Sequence, residues 1–135
     1  MPSNVLYPTF KEALLKGSID LDSSTVYVTL VSSSYTYSAT DEFYSTSITA
    51  YQVGNTGTLI NKSFTTGTLS GSAITFPLVA EGDTVEHVIV FQSGTVGVSD
   101  YVVAHYDTGT IGGINITTNG SDIEVLWNSS GLFSL

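Results

Sequence analysis

The sequence contains no cysteine, so no disulfide bond can brace the fold and no thiolate is available for catalysis or metal binding. It also lacks any run of about 20 apolar residues, the length that a membrane-spanning helix needs. Residues 1–17, MPSNVLYPTFKEALLKG, have neither the basic start nor the apolar run of a cleaved signal peptide. We therefore expect a soluble protein that is not exported by a cleaved signal and that is held together by its hydrophobic core alone.

Basic residues are scarce: three lysines and no arginine stand against 12 acidic residues, giving a net charge of −9. Nucleic-acid binding depends on Lys and Arg to neutralise phosphates, so a nucleic-acid partner is not expected. The negative charge favours solubility through self-repulsion, and the alternative is attraction to a basic partner surface or to cations.

The 135 residues match the size of one domain, and helical periodicity occurs only near the start. In YPTFKEALLKG, Thr9 and Glu12 have the spacing of a capping box, Phe10 and Leu14 share a face, and Gly17 ends the pattern. This predicts a helix of about two turns. Residues 1–8 contain Pro2 and Pro8, which disfavour helix, and are predicted to form an N-terminal arm before a single β-domain at residues 9–135.

The rest of the chain alternates between apolar and polar residues, with turn sequences in between, as half-buried strands do. In TVYVTLV, Val26, Val28 and Leu30 share one face and Val31 lies on the other. About nine such segments predict an all-β domain, a single β-sandwich or a jelly-roll or barrel-like fold, with the short N-terminal helix. The longest irregular stretch, SSSYTYSATDEFYST, is predicted to cross between sheets or to project as a loop. The predicted strand segments are TVYVTLV, SITAYQV, TLINKSFT, AITFPLV, EHVIVFQS, DYVVAHYD, INITT, DIEVLW and GLFSL.

The C-terminus, SDIEVLWNSSGLFSL, ends on hydrophobic residues. Ile123, Val125 and Trp127 alternate onto one face, and NSSG can form a turn, so Phe133 and Leu135 are predicted to return as a final strand in a hairpin. Leu126 points the opposite way, towards a covering element or an intermolecular contact.

Residues that could carry chemistry are few. His105 and Asp107 lie about 7 Å apart on one predicted strand face, and His87 could join them in a metal or proton-relay site, although lone histidines are more often surface or core groups. The acidic pairs Asp20/Asp22, Asp41/Glu42 and Glu81/Asp83 could bind Ca²⁺ or act as glycosidase carboxylates, but each also fits a turn. No nucleophile elbow, zinc-protease, phosphate-loop or dinucleotide motif occurs. We expect no catalytic residue, no cofactor and no metal site.

The eight tyrosines favour interfaces, because tyrosine offers rigid amphipathic contact area. Tyr35, Tyr37, Tyr44 and Tyr51 lie close together in the sequence and could form a contact surface for a neighbouring subunit or for glycan. The simpler interpretation is that strands favour aromatic residues.

Several segments resemble a group of small virion proteins of tailed bacteriophages, which begin with a short helix and a Gly-Asp-Ile-Asp-like turn and end in a Trp-containing strand and a last hydrophobic strand. The resemblance covers nearly the whole chain and is strongest from Ala73 to Leu135. Two details differ: NGSD stands where Asn-Gly-Gly-Asp is expected, and TIGGIN is shifted relative to Gly-x-Pro-Val. The matching segments are LYPTFKEALLKGSIDLDSSTVYVTLV, AITFPLVAEGDTVEHVIVFQSGT, SDYVVAHYDTGTIGG and ITTNGSDIEVLWNSSGLFSL.

The resemblance implies a non-enzymatic virion structural protein, most simply a capsid decoration (cement) protein that binds and stabilises the icosahedral shell. The alternatives are a tail or fibre component, or a module that binds glycan or a host surface. The implied partners are the major capsid protein or other virion proteins and further copies of the chain, with a trimer favoured and no membrane partner. The implied location is the capsid surface of the virion, after assembly in the bacterial cytoplasm. The expected interface residues are Tyr35, Tyr37, Tyr44, Tyr51, Val31, Leu126, Val5 and Leu6.

Overall fold

The computed structural model describes residues 4–93, 100–106, 116–127 and 131–135. They form an antiparallel all-β, sandwich-like domain with a short helix near the N-terminus, which confirms the predicted fold class. The described elements are, in chain order, β1 (Asn4–Leu6), α1 (Pro8–Leu15), β2 (Val26–Ser32), α2 (Thr46–Thr49), β3 (Gln52–Thr58), β4 (Ser63–Thr65), β5 (Thr68–Ser70), β6 (Ile74–Phe76), β7 (Thr84–Gln92), β8 (Tyr101–Tyr106), β9 (Ile116–Thr117), β10 (Ile123–Val125) and β11 (Phe133–Ser134).

A six-stranded sheet forms the centre of the domain, with the order β1-β8-β7-β2-β3 and with β9 paired to one end of β7. Two small sheets accompany it: β10 pairs with β6, and β5 lies between β11 and β4. Strands β2, β7 and β8 are rich in Val, and most of their residues are buried on both faces. This is the pattern of strands that are covered on both sides.

The irregular stretch that follows β2 covers one face of the large sheet instead of projecting from it. The ring of Tyr44 stacks on Phe91 at a centroid distance of 3.9 Å, and Tyr37 lies 4.9 Å from His105. Val31 is fully buried as a result, whereas the alternation in β2 placed it away from the core. The opposite face packs against the small sheets, where Gly57 of β3 approaches Ile74 of β6.

The N-terminal residues are integrated into the fold from Asn4 onwards. β1 pairs antiparallel with β8, with Val5 opposite His105 and Leu6 opposite Ala104, and Tyr7 is completely buried. Residues 4–7, which were expected in the N-terminal arm, are therefore held by the large sheet and the core, and Pro8 begins α1.

Helix α1 begins differently from the capping-box prediction. Tyr7 is the N-cap residue and makes no side-chain capping bond, and Pro8 occupies the first turn. Proline suits this position because its fixed φ is helical and no N–H is needed there. The Thr9 hydroxyl instead donates to the backbone carbonyl of Asp41. The expected stop is present, since Gly17 has a φ of 74°.

The predicted C-terminal hairpin is wrong in its pairing. β10 pairs with β6, whereas β11 pairs with β5, with Phe133 opposite Leu69. The terminus is still docked: Leu132 is buried and donates its backbone N–H to the carbonyl of Leu69. Leu135 remains 70% exposed, so the last residue does not enter the core.

Candidate interaction surface

The two histidines lie side by side beneath the tyrosines of residues 33–51. His87 Nδ1 is 2.9 Å from His105 Nε2, and the ring of Tyr35 meets His87 edge-on at 5.3 Å. His105 is buried and also contacts the ring of Tyr37. The histidines therefore pack within an aromatic cluster of the core. Asp107, the expected partner of His105, lies outside the described residues.

A chain of hydroxyl groups crosses the same cluster. Tyr35 donates a hydrogen bond of 2.9 Å to the Asp41 carboxylate, and its oxygen lies 2.9 Å from the hydroxyl of Tyr7. Burial raises the pKa of Tyr7 and that of Tyr35 well above 10.0, the ordinary value. Both hydroxyls therefore stay protonated at neutral pH and serve as hydrogen-bonding groups of the core.

The expected tyrosine surface is largely an internal one. Tyr35 is buried, and Tyr37 and Tyr44 are half-buried against the large sheet. Tyr44 donates its hydroxyl hydrogen to the Gln52 side-chain oxygen. Only Tyr51, at 38%, counts as exposed within this group of four. Tyr35 and Tyr44 satisfy their hydroxyls inside the fold, and this helps to explain how a Ser/Thr-rich stretch can cover a core.

The remaining expected interface residues divide in the same way. Val31 is in the core and Leu6 packs against it, whereas Leu126 is 59% exposed. Val5 is placed by its backbone pairing in β1. Of these, Leu126 alone is shown to present a large apolar side chain to solvent.

An apolar pocket of about 300 Å³ opens at another part of the surface, between α1, the turn that follows it and the sheet of β4, β5 and β11. It is lined by Phe10 and Leu14 of α1 and by Leu69 and Phe133 of the small sheet. The rings of Phe10 and Phe133 meet edge-on at 5.9 Å. The pocket therefore has a packed aromatic floor supported by buried core residues.

Two large apolar side chains line this pocket while remaining open to water. Phe64 of β4 is 46% exposed, and Leu135 at the chain terminus is 70% exposed. Leu135 is held in place by a backbone bond from its N–H to the carbonyl of Gly67. Exposed apolar groups beside a concave site mark surfaces where ligands or proteins bind.

The polar side of the pocket is acidic. Asp20 and Asp22 are exposed residues of its lining. The Asp20 carboxylate accepts hydrogen bonds from the backbone N–H groups of Asp22 and Ser23, and bonding to Ser23 holds its pKa below the ordinary value. Asp20 is therefore ionised at neutral pH. The prediction that the acidic residues at positions 20 and 22 stabilise a turn is confirmed for Asp20.

The side chain of Lys62 holds the turn at residues 21–24, which contains Asp22. Its ammonium group donates hydrogen bonds to the backbone carbonyls of Leu21, Asp22 and Ser24. A single side chain thereby ties residues 21–24 to the segment that leads into β4. Both the acidic rim and Phe64 are positioned by this contact.

The sequence alone did not reveal this pocket. Its walls come from three segments that are far apart in the chain, and each apolar residue was explained locally by a helix face or a strand face. The available signals were the short strand SFT, which contains Phe64, and a chain that ends on leucine.

Within residues 4–93, 100–106, 116–127 and 131–135, no three His, Asp or Glu side chains are grouped as metal ligands would be. In the same part of the chain no helix combines the length and the apolar character needed to cross a bilayer.

Comparisons of the chain with protein families, with characterised proteins and with solved structures gave no match.

Proposed function

We propose that the protein is a non-enzymatic structural component of a tailed-bacteriophage particle, and specifically a decoration protein that binds the outer surface of the capsid. The observation that supports this most is the convergence of two segments that carry the resemblance to phage virion proteins. The opening segment provides Phe10, Leu14 and the Asp20–Asp22 turn, and the closing segment provides Phe133 and Leu135. Together with residues of β4 and β5 they line the apolar pocket.

The remaining surface suits a protein that adheres to a shell. Besides the pocket, the exposed large apolar residues include Ile60, Leu78 and Leu126, which could contact neighbouring proteins of a shell. The strands β3 and β4 are edge strands of their sheets, and edges can pair with another chain. A trimer at the three-fold positions of the shell remains our proposal for the assembly, with the capsid surface as its location.

The proposal is tested with phage particles that lack the protein. Purified protein is added back, unbound protein is removed by sedimentation, and the temperature at which the shells rupture is measured. Co-sedimentation together with a higher rupture temperature is the expected result. If the protein neither binds nor stabilises the shells, the decoration role is wrong, and labelling of intact particles then decides whether the protein belongs to the tail.

The N-terminal contribution is tested in the same assay with a variant lacking residues 1–3. This truncation is preferable to a longer one because β1 begins at Asn4 and Tyr7 is buried, so deeper truncation removes core contacts. Normal binding by this variant would show that residues 1–3 are not the anchor to the shell.

A further inference from the structure

We infer that the apolar pocket receives an apolar side chain from a different protein, and that a Lys or Arg next to this side chain pairs with Asp20 and Asp22. The inference rests on the proposed function and specifies the contact through which the protein binds its partner. The partner is thus defined by its chemistry: a segment with a large apolar residue beside a basic one.

The charge of the pocket argues for a basic partner. Its charged lining residues are Asp20 and Asp22, and Asp20 is held in the ionised form by bonding to Ser23. Lys62 lies nearby, but its ammonium group is occupied by three backbone carbonyls. Complementary charges at the rim of an interface steer association and select the partner.

The same charge argues against a second copy as the occupant. Each copy carries a net charge of −9 and only three lysines, so long-range repulsion opposes the approach of a second copy. A basic segment on another chain has the reverse effect, because it neutralises the rim.

The apolar lining argues for a side chain as the group that enters. Phe64 and Leu135 are exposed, and the floor of Phe10 and Phe133 is already packed. A volume of about 300 Å³ is at the small end of the range for ligand cavities, which suits an anchoring side chain. Apolar anchors in such pockets dominate the affinity of many protein interfaces.

The pocket is also formed in advance of binding. Lys62 fixes the acidic turn, and the N–H of Leu135 is bonded to the carbonyl of Gly67. Binding therefore requires little further ordering of this surface, so little affinity is lost to conformational entropy.

The first experiment identifies the occupant directly. Phe64 is replaced by the photoreactive aromatic residue p-benzoylphenylalanine, the protein is bound to particles that lack it, and the cross-linked peptide is sequenced by mass spectrometry. The expected peptide comes from another virion protein and has a Lys or Arg near its cross-linked apolar residue. A cross-link to a second copy, or to a segment without a basic residue, would overturn the inference.

The second experiment measures the two components of the contact. Leu135→Ser is expected to weaken binding to the particles about tenfold or more, because an apolar contact is lost. Asp20→Asn and Asp22→Asn are each expected to weaken binding up to about fivefold at low salt, and less at high salt. Leu15→Ser and Glu124→Gln are the matched controls, since both residues are exposed and absent from the pocket lining.

The results separate this inference from the proposed function. If the wild-type protein stabilises the particles and the pocket variants bind as well as their controls do, the decoration role stands and the pocket inference is wrong. If the wild-type protein does not bind particles at all, both fail. Melting temperatures close to wild type for all variants ensure that weaker binding reports the contact and not unfolding.

Discussion

The hydroxyl groups of Tyr7 and Tyr35 lie 2.9 Å apart, although 28 residues separate them in the sequence. Tyr35 donates its only hydroxyl hydrogen to Asp41, so it accepts the hydrogen from Tyr7. The bond joins the residue before α1 to the irregular stretch that covers the large sheet. The two tyrosines thus have different roles: Tyr7 only donates a hydrogen bond, at one end of this series of hydroxyl groups, whereas Tyr35 both donates and accepts one.

This asymmetry predicts that removing the two hydroxyls lowers the free energy of unfolding by different amounts. Tyr7→Phe removes a donor and leaves the bond from Tyr35 to Asp41 intact, so we expect a loss of about 1 kcal/mol in the free energy of unfolding. Tyr35→Phe leaves the buried hydroxyl of Tyr7 without its acceptor, and we expect a loss of about 2–3 kcal/mol. Urea unfolding of both variants measures the difference. Equal losses would contradict the direction assigned to the bonds.

Alkaline pH is predicted to destabilise the protein through its buried tyrosines. Burial raises the pKa of Tyr7 and that of Tyr106 well above 10.0. Above this pH the unfolded chain releases protons that the folded protein retains, so stability is complete below about pH 10 and falls above it. Above about pH 10, each such tyrosine lowers the free energy of unfolding by about 1.4 kcal/mol per pH unit.

Unfolding in urea at a series of pH values from about 9 to 11 checks this prediction around the ordinary tyrosine pKa. Tyr7→Phe is the control, because it should make the fall with pH less steep by one tyrosine's contribution. An unchanged slope in this variant would show that Tyr7 ionises as readily in the folded protein as in the unfolded chain.

The C-terminal segment is predicted to depend on Leu132 and not on the last residue. Leu132 is buried, and its carbonyl accepts a hydrogen bond from Tyr106. Leu132→Ala should therefore lower the free energy of unfolding by about 2–5 kcal/mol. Leu135→Ala changes the same element at an exposed position and should stay within about 0.5 kcal/mol of wild type. Thermal melting of the pair distinguishes them, and similar losses would show that Leu135 is buried in solution.

The contact between the large sheet and β6 is predicted to require glycine at position 57. A Cβ at Gly57 would lie 2.6 Å from Ile74 Cγ2 and 3.3 Å from Phe76 Cε1. Gly57→Ala should therefore destabilise the fold by about 1–3 kcal/mol through overpacking. In the Ile74→Ala background the cost should be smaller, because the clashing methyl is gone. Additive losses in denaturant unfolding would place β6 farther from β3 than described.

The elements that the sequence predicted well are those whose signal is local. β2, β7 and β8 were recognised from their alternation, and α1 from the spacing of Phe10 and Leu14. Gly17 was recognised as its end. Each of these depends on residues a few positions apart, where backbone propensity and side-chain period are decisive.

What could not be predicted depends on contacts between distant segments. β11 pairs with β5 and not with β10, and no residue in the NSSG turn region indicates this choice. Val31 was assigned to a surface by the alternation in β2, and Tyr35 was assigned to one because the tyrosines of the Ser/Thr-rich stretch favour interfaces. Its tyrosines instead cover the sheet, which becomes visible only once their hydroxyl partners are known. The apolar pocket was missed because its lining residues also come from segments that are far apart in the sequence.

The pairing of β1 with β8 has a consequence for synthesis on the ribosome. Asn4 lies opposite Tyr106, about a hundred residues later in the chain. The first strand emerges early but has no place in the large sheet until β8 has also emerged, and its neighbour β7 is completed late as well. Long-range pairing of this kind slows folding and leaves strand edges uncovered in the meantime. The nascent chain therefore completes its central sheet only after β8 and β9 have left the ribosome, and until then its early strands are the segments most in need of chaperone protection.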